Sequence, residues 1–176
     1  MKKLVIISLA ILFFTPCVVT AQTKTSKKAK TTQTYKRKAT KKKNTQAGLT
    51  PLERKVVGKH MLSLQWISWD YFGTAEITKG TDGVYYCKGE QLSRGDDSHI
   101  GDYLKIDGTI RIISELELEF TGTIRTKIYH INNGDEVVRE GTFTFLSTQG
   151  RKYWRMQDMI NPADGCTDYV DIYFKR

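Results

Sequence analysis

From Lys59 to the end of the chain, apolar side chains recur at every second position in short runs. Alternate residues of an extended strand point to opposite faces, so each run can bury one face and wet the other. Leu116, Leu118 and Phe120 alternate with Glu115, Glu117 and Glu119; Ala75 and Ile77 alternate with Thr74, Glu76 and Thr78. Further runs cover Met61 to Trp66, Val84 to Cys87, Tyr103 to Ile106, Thr109 to Ile112, Ile124 to Ile131, Val137-Val138, Phe143 to Phe145, Tyr153 to Met156 and Tyr169 to Phe174. Turn chemistry punctuates them at Asp82-Gly83, Gly95-Asp96-Asp97, Asp107-Gly108, Asn132-Asn133-Gly134 and Gln149-Gly150. This pattern predicts about nine or ten strands. No long helical period alternates with them, which excludes a parallel α/β sheet. A sandwich would need longer crossovers. The tight gaps instead predict an all-β fold, one antiparallel meander closed into a β-barrel.

Two local expectations follow. Thr50-Pro51-Leu52-Glu53 reads as a short helix start, with Thr50 as N-cap, Pro51 at the first position and Glu53 closing a capping box. Gly58 ends that helix. Asp107-Gly108 reads as a hairpin turn. Keeping Ile106 opposite Ile110 and Leu104 opposite Ile112 requires a three-residue loop there.

The net charge of +9 is unevenly distributed. Residues 22–48 hold ten basic side chains and no acidic one, whereas residues 49–176 hold sixteen basic and nineteen acidic, a net −3. Residues 1–21 read as a secretory signal peptide. Lys2 and Lys3 are its charged start, Leu4 to Phe14 its apolar stretch and Val19-Thr20-Ala21 its small-residue cleavage site. That run is the one conspicuous apolar stretch, which excludes a multi-span helical membrane protein. The mature chain is expected to begin at Gln22, outside the cytoplasm, in the periplasm or on the surface of a bacterium. The Lys/Thr-rich segment 22–48 has no apolar periodicity and is expected to be a disordered basic linker. It is either a solvated spacer or a tether to an anionic envelope surface. Export argues against nucleic acid as the partner. The barrel domain is placed at residues 49–176.

The order of elements resembles the calycin superfamily, in particular lipocalin-like small secreted proteins of Bacteroidetes type. It shares with them a short helix, a glycine leading into the first strand, then a meander ending in an aromatic and basic strand. Gly58-Lys59-His60 stands where lipocalins carry Gly-x-Trp, and Thr167-Asp168-Tyr169 matches their Thr-Asp-Tyr triplet, though on the last strand. The resemblance implies a cup for a small apolar or amphipathic ligand in the barrel interior.

Several residues qualify as binding candidates. Trp66, Trp69 and Tyr71 belong to the densest aromatic segment, where rings can line a cup, stack on a sugar or simply pack. Period two puts Trp66 on the face of Leu62 and Leu64. Tyr153 and Arg155 share a face of a later strand, and an inward arginine there can hold a carboxylate. In an exported protein Cys87 and Cys166 can form a disulfide, closing a loop worth ~4 kcal/mol in the chain-entropy picture; two free thiols are the other possibility. Asp96, Asp97, His99 and Asp102 cluster in one loop, but without the spacing of a cation loop, and no His or Cys pair has metal-ligand spacing. Neither a metal nor a cofactor is therefore expected. Gly-x-Ser-x-Gly, a P-loop and His-Glu-x-x-His are absent, so the chain is not read as an enzyme. Two functions stay open: a carrier of a small ligand in the barrel, or an envelope-tethered protein whose barrel surface binds a protein or glycan.

Overall fold

Thr50 caps the helix as its sequence requires. Its hydroxyl accepts from Glu53 N at 3.2 Å, and the Glu53 carboxylate accepts from Thr50 N at 2.5 Å, a complete capping box. Helix α1 spans Pro51–Val56 and buries Val56 completely. The computed structural model that shows this describes residues 48–94 and 99–175. The segment read as a signal peptide and nearly all of that read as a basic linker, on residues 1–47, lie outside the described residues, as do Asp96 and Asp97.

Among the described residues eight strands follow: β1 (Gly58–Leu64), β2 (Gly73–Lys79), β3 (Tyr85–Leu92), β4 (Tyr103–Ile112), β5 (Glu117–Lys127), β6 (Val137–Leu146), β7 (Tyr153–Met156) and β8 (Val170–Tyr173). Each pairs antiparallel with the next, and β8 returns to β1 with Ile172 opposite Leu62, closing the barrel. The fold is the all-β meander barrel that the alternation predicts.

The strand count is lower than expected for a specific reason. Asp107-Gly108 is not a turn: β4 runs straight through it, and Ile106 faces Gly89 on β3 and Ile124 on β5 rather than Ile110. The expected three-residue loop is therefore corrected to continuous strand. Gly108 stays in phase with the inward Ile106 and Ile110, opposite Gly122 of β5. A Cβ at Gly108 would lie 2.3 Å from the Thr121 carbonyl oxygen, and one at Gly122 would lie 2.3 Å from the Asp107 carbonyl oxygen. Glycine is needed here because the two backbones approach closely. The row continues to Gly141 of β6. β5 likewise joins two stretches that read as separate strands.

The inward positions are filled. Trp154, Phe120, Phe145, Leu118, Met156, Leu62 and Leu64 are all essentially inaccessible to solvent. Eight strands make an interior just wide enough for side chains. The outer wall over β2 to β5 is polar, with cross-strand ion pairs Lys88–Asp107 at 3.3 Å, Lys105–Glu90 at 3.1 Å and Arg111–Glu119 at 2.7 Å. The last of these ties one of the alternating glutamates of β5, Glu119, to Arg111 on β4. Such exposed pairs contribute little stability but keep the wall soluble.

Candidate functional site

The outer wall over β7, β8 and β1 has a different composition. Trp154 and Met156 of β7 point inward, which turns Tyr153 and Arg155 outward. Val170 and Ile172 of β8 also point inward, leaving Asp171 and Tyr173 outside, with Tyr169 just before them. Register sets Arg155 opposite Asp171 and Asp171 opposite Ser63 of β1. An acid and a base on neighbouring positions of one face can pair. Here the pair is bidentate, with Arg155 Nε and Nη2 each donating to an Asp171 carboxylate oxygen at 2.7 Å.

Asp171 is only 1% exposed although it sits on the outer face. Tyrosines surround the pair: the Arg155 guanidinium lies 4.0 Å from the Tyr169 ring centroid and 5.1 Å from that of Tyr153. Tyr153 and Tyr173 are 5.2 Å apart, and Phe72, at the end of the β1–β2 loop, meets Tyr173 edge-on at 5.0 Å. Burial pushes the Asp171 carboxyl up from its ordinary value, and the guanidinium opposes that shift. In return the carboxylate raises the pKa of Arg155 and keeps it charged. Burial also raises the Tyr173 phenol. The wall thus presents half-buried ring faces and hydroxyls on a rigid, ion-paired support. Tyrosine and arginine are, with tryptophan, enriched among the residues that anchor protein interfaces; tyrosine presents large contact area at low entropic cost, and here the ion pair already holds the arginine in place.

Of the sequence-derived candidates, Tyr153 and Arg155 meet in this cluster. Arg155 faces outward, and its carboxylate partner is the chain's own Asp171. Trp66 lies past the end of β1, half-buried, donating from Nε1 to Asp168 at 3.0 Å and meeting His130 edge-on. Asp168, the centre of the Thr-Asp-Tyr triplet, also accepts from Asn161 Nδ2, so the triplet ties the loop before β8 to the barrel end. Tyr71 lies beneath the Arg94 guanidinium at 3.9 Å, and its hydroxyl accepts from Arg94 N. Trp69 is 61% exposed, three residues before Phe72. Asp171, Tyr173, Phe72 and Ser63 were not singled out as binding candidates from sequence, and Tyr169 entered only as the last residue of the Thr-Asp-Tyr triplet. The signal was present in Tyr169-Val170-Asp171-Ile172-Tyr173, whose alternation puts an acid between two tyrosines.

The disulfide is corrected: Cys87 and Cys166 are free thiols. Cys87 aligns with Ile77, which aligns with Gly58 at the α1 end of the barrel. Cys166 precedes Val170, the partner of Leu64 at the other end. A bridge needs Cα atoms within about 7 Å, which this register denies. Burial pushes the Cys87 thiol up to about 12. Among the described residues no group of three or more His, Cys, Asp or Glu is placed to hold a metal ion. His99 stacks on Tyr129 at 3.8 Å, and Asp102 accepts from Tyr129 N.

Comparison with known proteins gives one close likeness. The chain is 43% identical over 126 residues, 72% of its length, to the uncharacterized protein PM1083 of Pasteurella multocida (strain Pm70), of which the match covers 78%. No solved structure matches the chain. The family model that matches spans residues 36–174, all eight strands of the barrel and part of the basic segment, and on that match the chain belongs to the PM1083 family.

Proposed function

We propose that this is an exported, calycin-like barrel that works as an interaction module. Its tyrosine–arginine wall over β7, β8 and β1 docks a protein of the bacterial envelope. The observation that carries this reading is the outward-facing, tyrosine-covered Arg155–Asp171 pair on a barrel whose inward positions are packed. A solvent face ordinarily carries exposed charges, as β2 to β5 do here. The basic segment 22–48 supplies a second, electrostatic contact with anionic envelope polymers or lipid. A small ligand held inside the barrel is the competing reading. It requires the packed interior to open.

Envelope fractionation at low and high salt separates the two contacts. Deleting residues 22–48 should remove the salt-sensitive part of the association, since ionic attraction between exposed groups is screened. Replacing Tyr153 and Tyr169 with alanine should remove the salt-resistant part while the circular dichroism of the barrel is kept. Salt-resistant association that survives in the folded double variant would overturn the proposal. Its loss together with inhibition by added glycan would redirect it to a sugar ligand.

A further inference from the structure

At the α1 end, outside the packed interior, lies a pocket of about 350 Å³. Its floor is aromatic: Trp154 and Phe174 sit 4.4 Å apart at 58°. Its rim is ionic: Arg54 and Lys55 from α1, Lys175 after β8, and Glu115 from the β4–β5 turn. The indole N–H is already committed to the Glu115 carbonyl oxygen at 3.0 Å and Trp154 is itself buried, so the ring surface the floor offers is chiefly that of half-buried Phe174. Lys175 Nζ donates to the Val57 carbonyl at 2.6 Å and to that of Arg54, which neutralises the negative end of the short helix. Among the described residues, three cations against one carboxylate leave the rim net positive. The Lys55–Glu115 contact, at 2.5 Å, joins two side chains that are each more than half exposed, and such a pair is easily exchanged for another anion.

An apolar floor under a cationic rim selects one chemistry. We infer that this pocket binds a small amphipathic anion, its ring or short acyl chain against Phe174 with Trp154 packed beneath, and its carboxylate at Lys55 and Arg54. The volume is that of about a dozen waters and lies at the small end of ligand pockets. It admits an aryl-alkanoate or a medium-chain fatty acid but not a lipid with two chains. This site is separate from the tyrosine–arginine wall and does not depend on the function proposed for it.

The test is calorimetric titration of the full chain with 4-phenylbutyrate. Its neutral amide, octanoate and acetate are titrated alongside. The expected result is saturable one-to-one binding of phenylbutyrate and octanoate, with the amide and acetate each about tenfold weaker or worse, since one lacks the charge and the other the apolar body. Lys55→Glu and Phe174→Ala should each weaken phenylbutyrate about tenfold, and Lys105→Glu on the far wall should leave it unchanged. Equal binding of acid and amide would overturn the inference. So would equal binding of acetate, which would assign the signal to the basic segment. Should a pocket variant fail to fold, the indole N–H resonances of the unmodified protein decide. Phenylbutyrate must move the Trp154 signal, and a shift confined to Trp66 or Trp69 refutes the site.

Discussion

At the scale of single residues, Asp171 is the position on which the tyrosine–arginine wall depends. Removing one partner of a buried ion pair leaves the other charge uncompensated, which typically costs ~3–5 kcal/mol. Asp171→Ala should therefore lower the unfolding free energy in urea by about that amount. Replacing Arg155 and Asp171 together with Met and Leu should cost far less. Equal losses in the single and double variants would show that the pair is not coupled. The glycine row makes a second demand. Gly122→Ala places a methyl group against the Asp107 carbonyl, and overpacking of this kind costs ~1–3 kcal/mol, to be read in the same denaturation. Neither position was fully legible beforehand. Alternation put Tyr153 with Arg155 and Tyr169 with Asp171, but the pairing of β7 with β8 crosses a loop of irregular sequence, and no local pattern fixes that register. Gly108 was misread because Asp-Gly signals a hairpin turn and a close strand crossing equally well. The phase of Ile106 and Ile110 is kept by a three-residue loop and by a continuous strand alike.

At the scale of elements, α1 was legible almost completely. A capping box is a local device, decided within four residues, and Thr50 and Glu53 form it as read. What the sequence withheld is that Glu53 also reaches the barrel. Lys79 of β2 donates to it at 2.5 Å, and the Tyr85 hydroxyl of β3 donates to the same oxygen. The hydrogen bond from Lys79, then those from Tyr85 and Thr50, hold the Glu53 carboxyl well below its ordinary value of 4.5. A lowered carboxylate stabilises the fold above that ordinary value. Its contribution falls away as pH drops below it, because the unfolded chain then takes up the proton first. Melting temperatures of the wild type and of Glu53→Gln should therefore differ most near neutrality and converge as pH falls from about 4.5 toward 3. A constant gap over that range would mean that Glu53 acts by shape alone.

At the scale of the whole molecule, the meander was legible because a period of two and short gaps leave few alternatives to a closed barrel. The position of the tyrosine–arginine wall was not, because one strand shows which residues share a face but not which face becomes the inside. Arg155 was expected to be able to hold a carboxylate from within the barrel; it holds one on the outside. The thiols report the same geometry. Cys87 is inward and its thiol is raised to about 12, so alkylation of the native protein should spare it, and peptide mapping should find it modified only after unfolding. A Cys87–Cys166 disulfide in the mapped protein would contradict the barrel register itself.

The central claim is that the protein meets its partner on the outer wall of β7, β8 and β1. A photo-crosslinking amino acid placed at position 169 in living cells tests it most directly, with position 121, on the opposite polar wall, as the control. The account predicts a discrete adduct from position 169 that is absent from position 121 and is lost when Tyr153 is also replaced by alanine. No adduct from 169, or the same adduct from both positions, would contradict it.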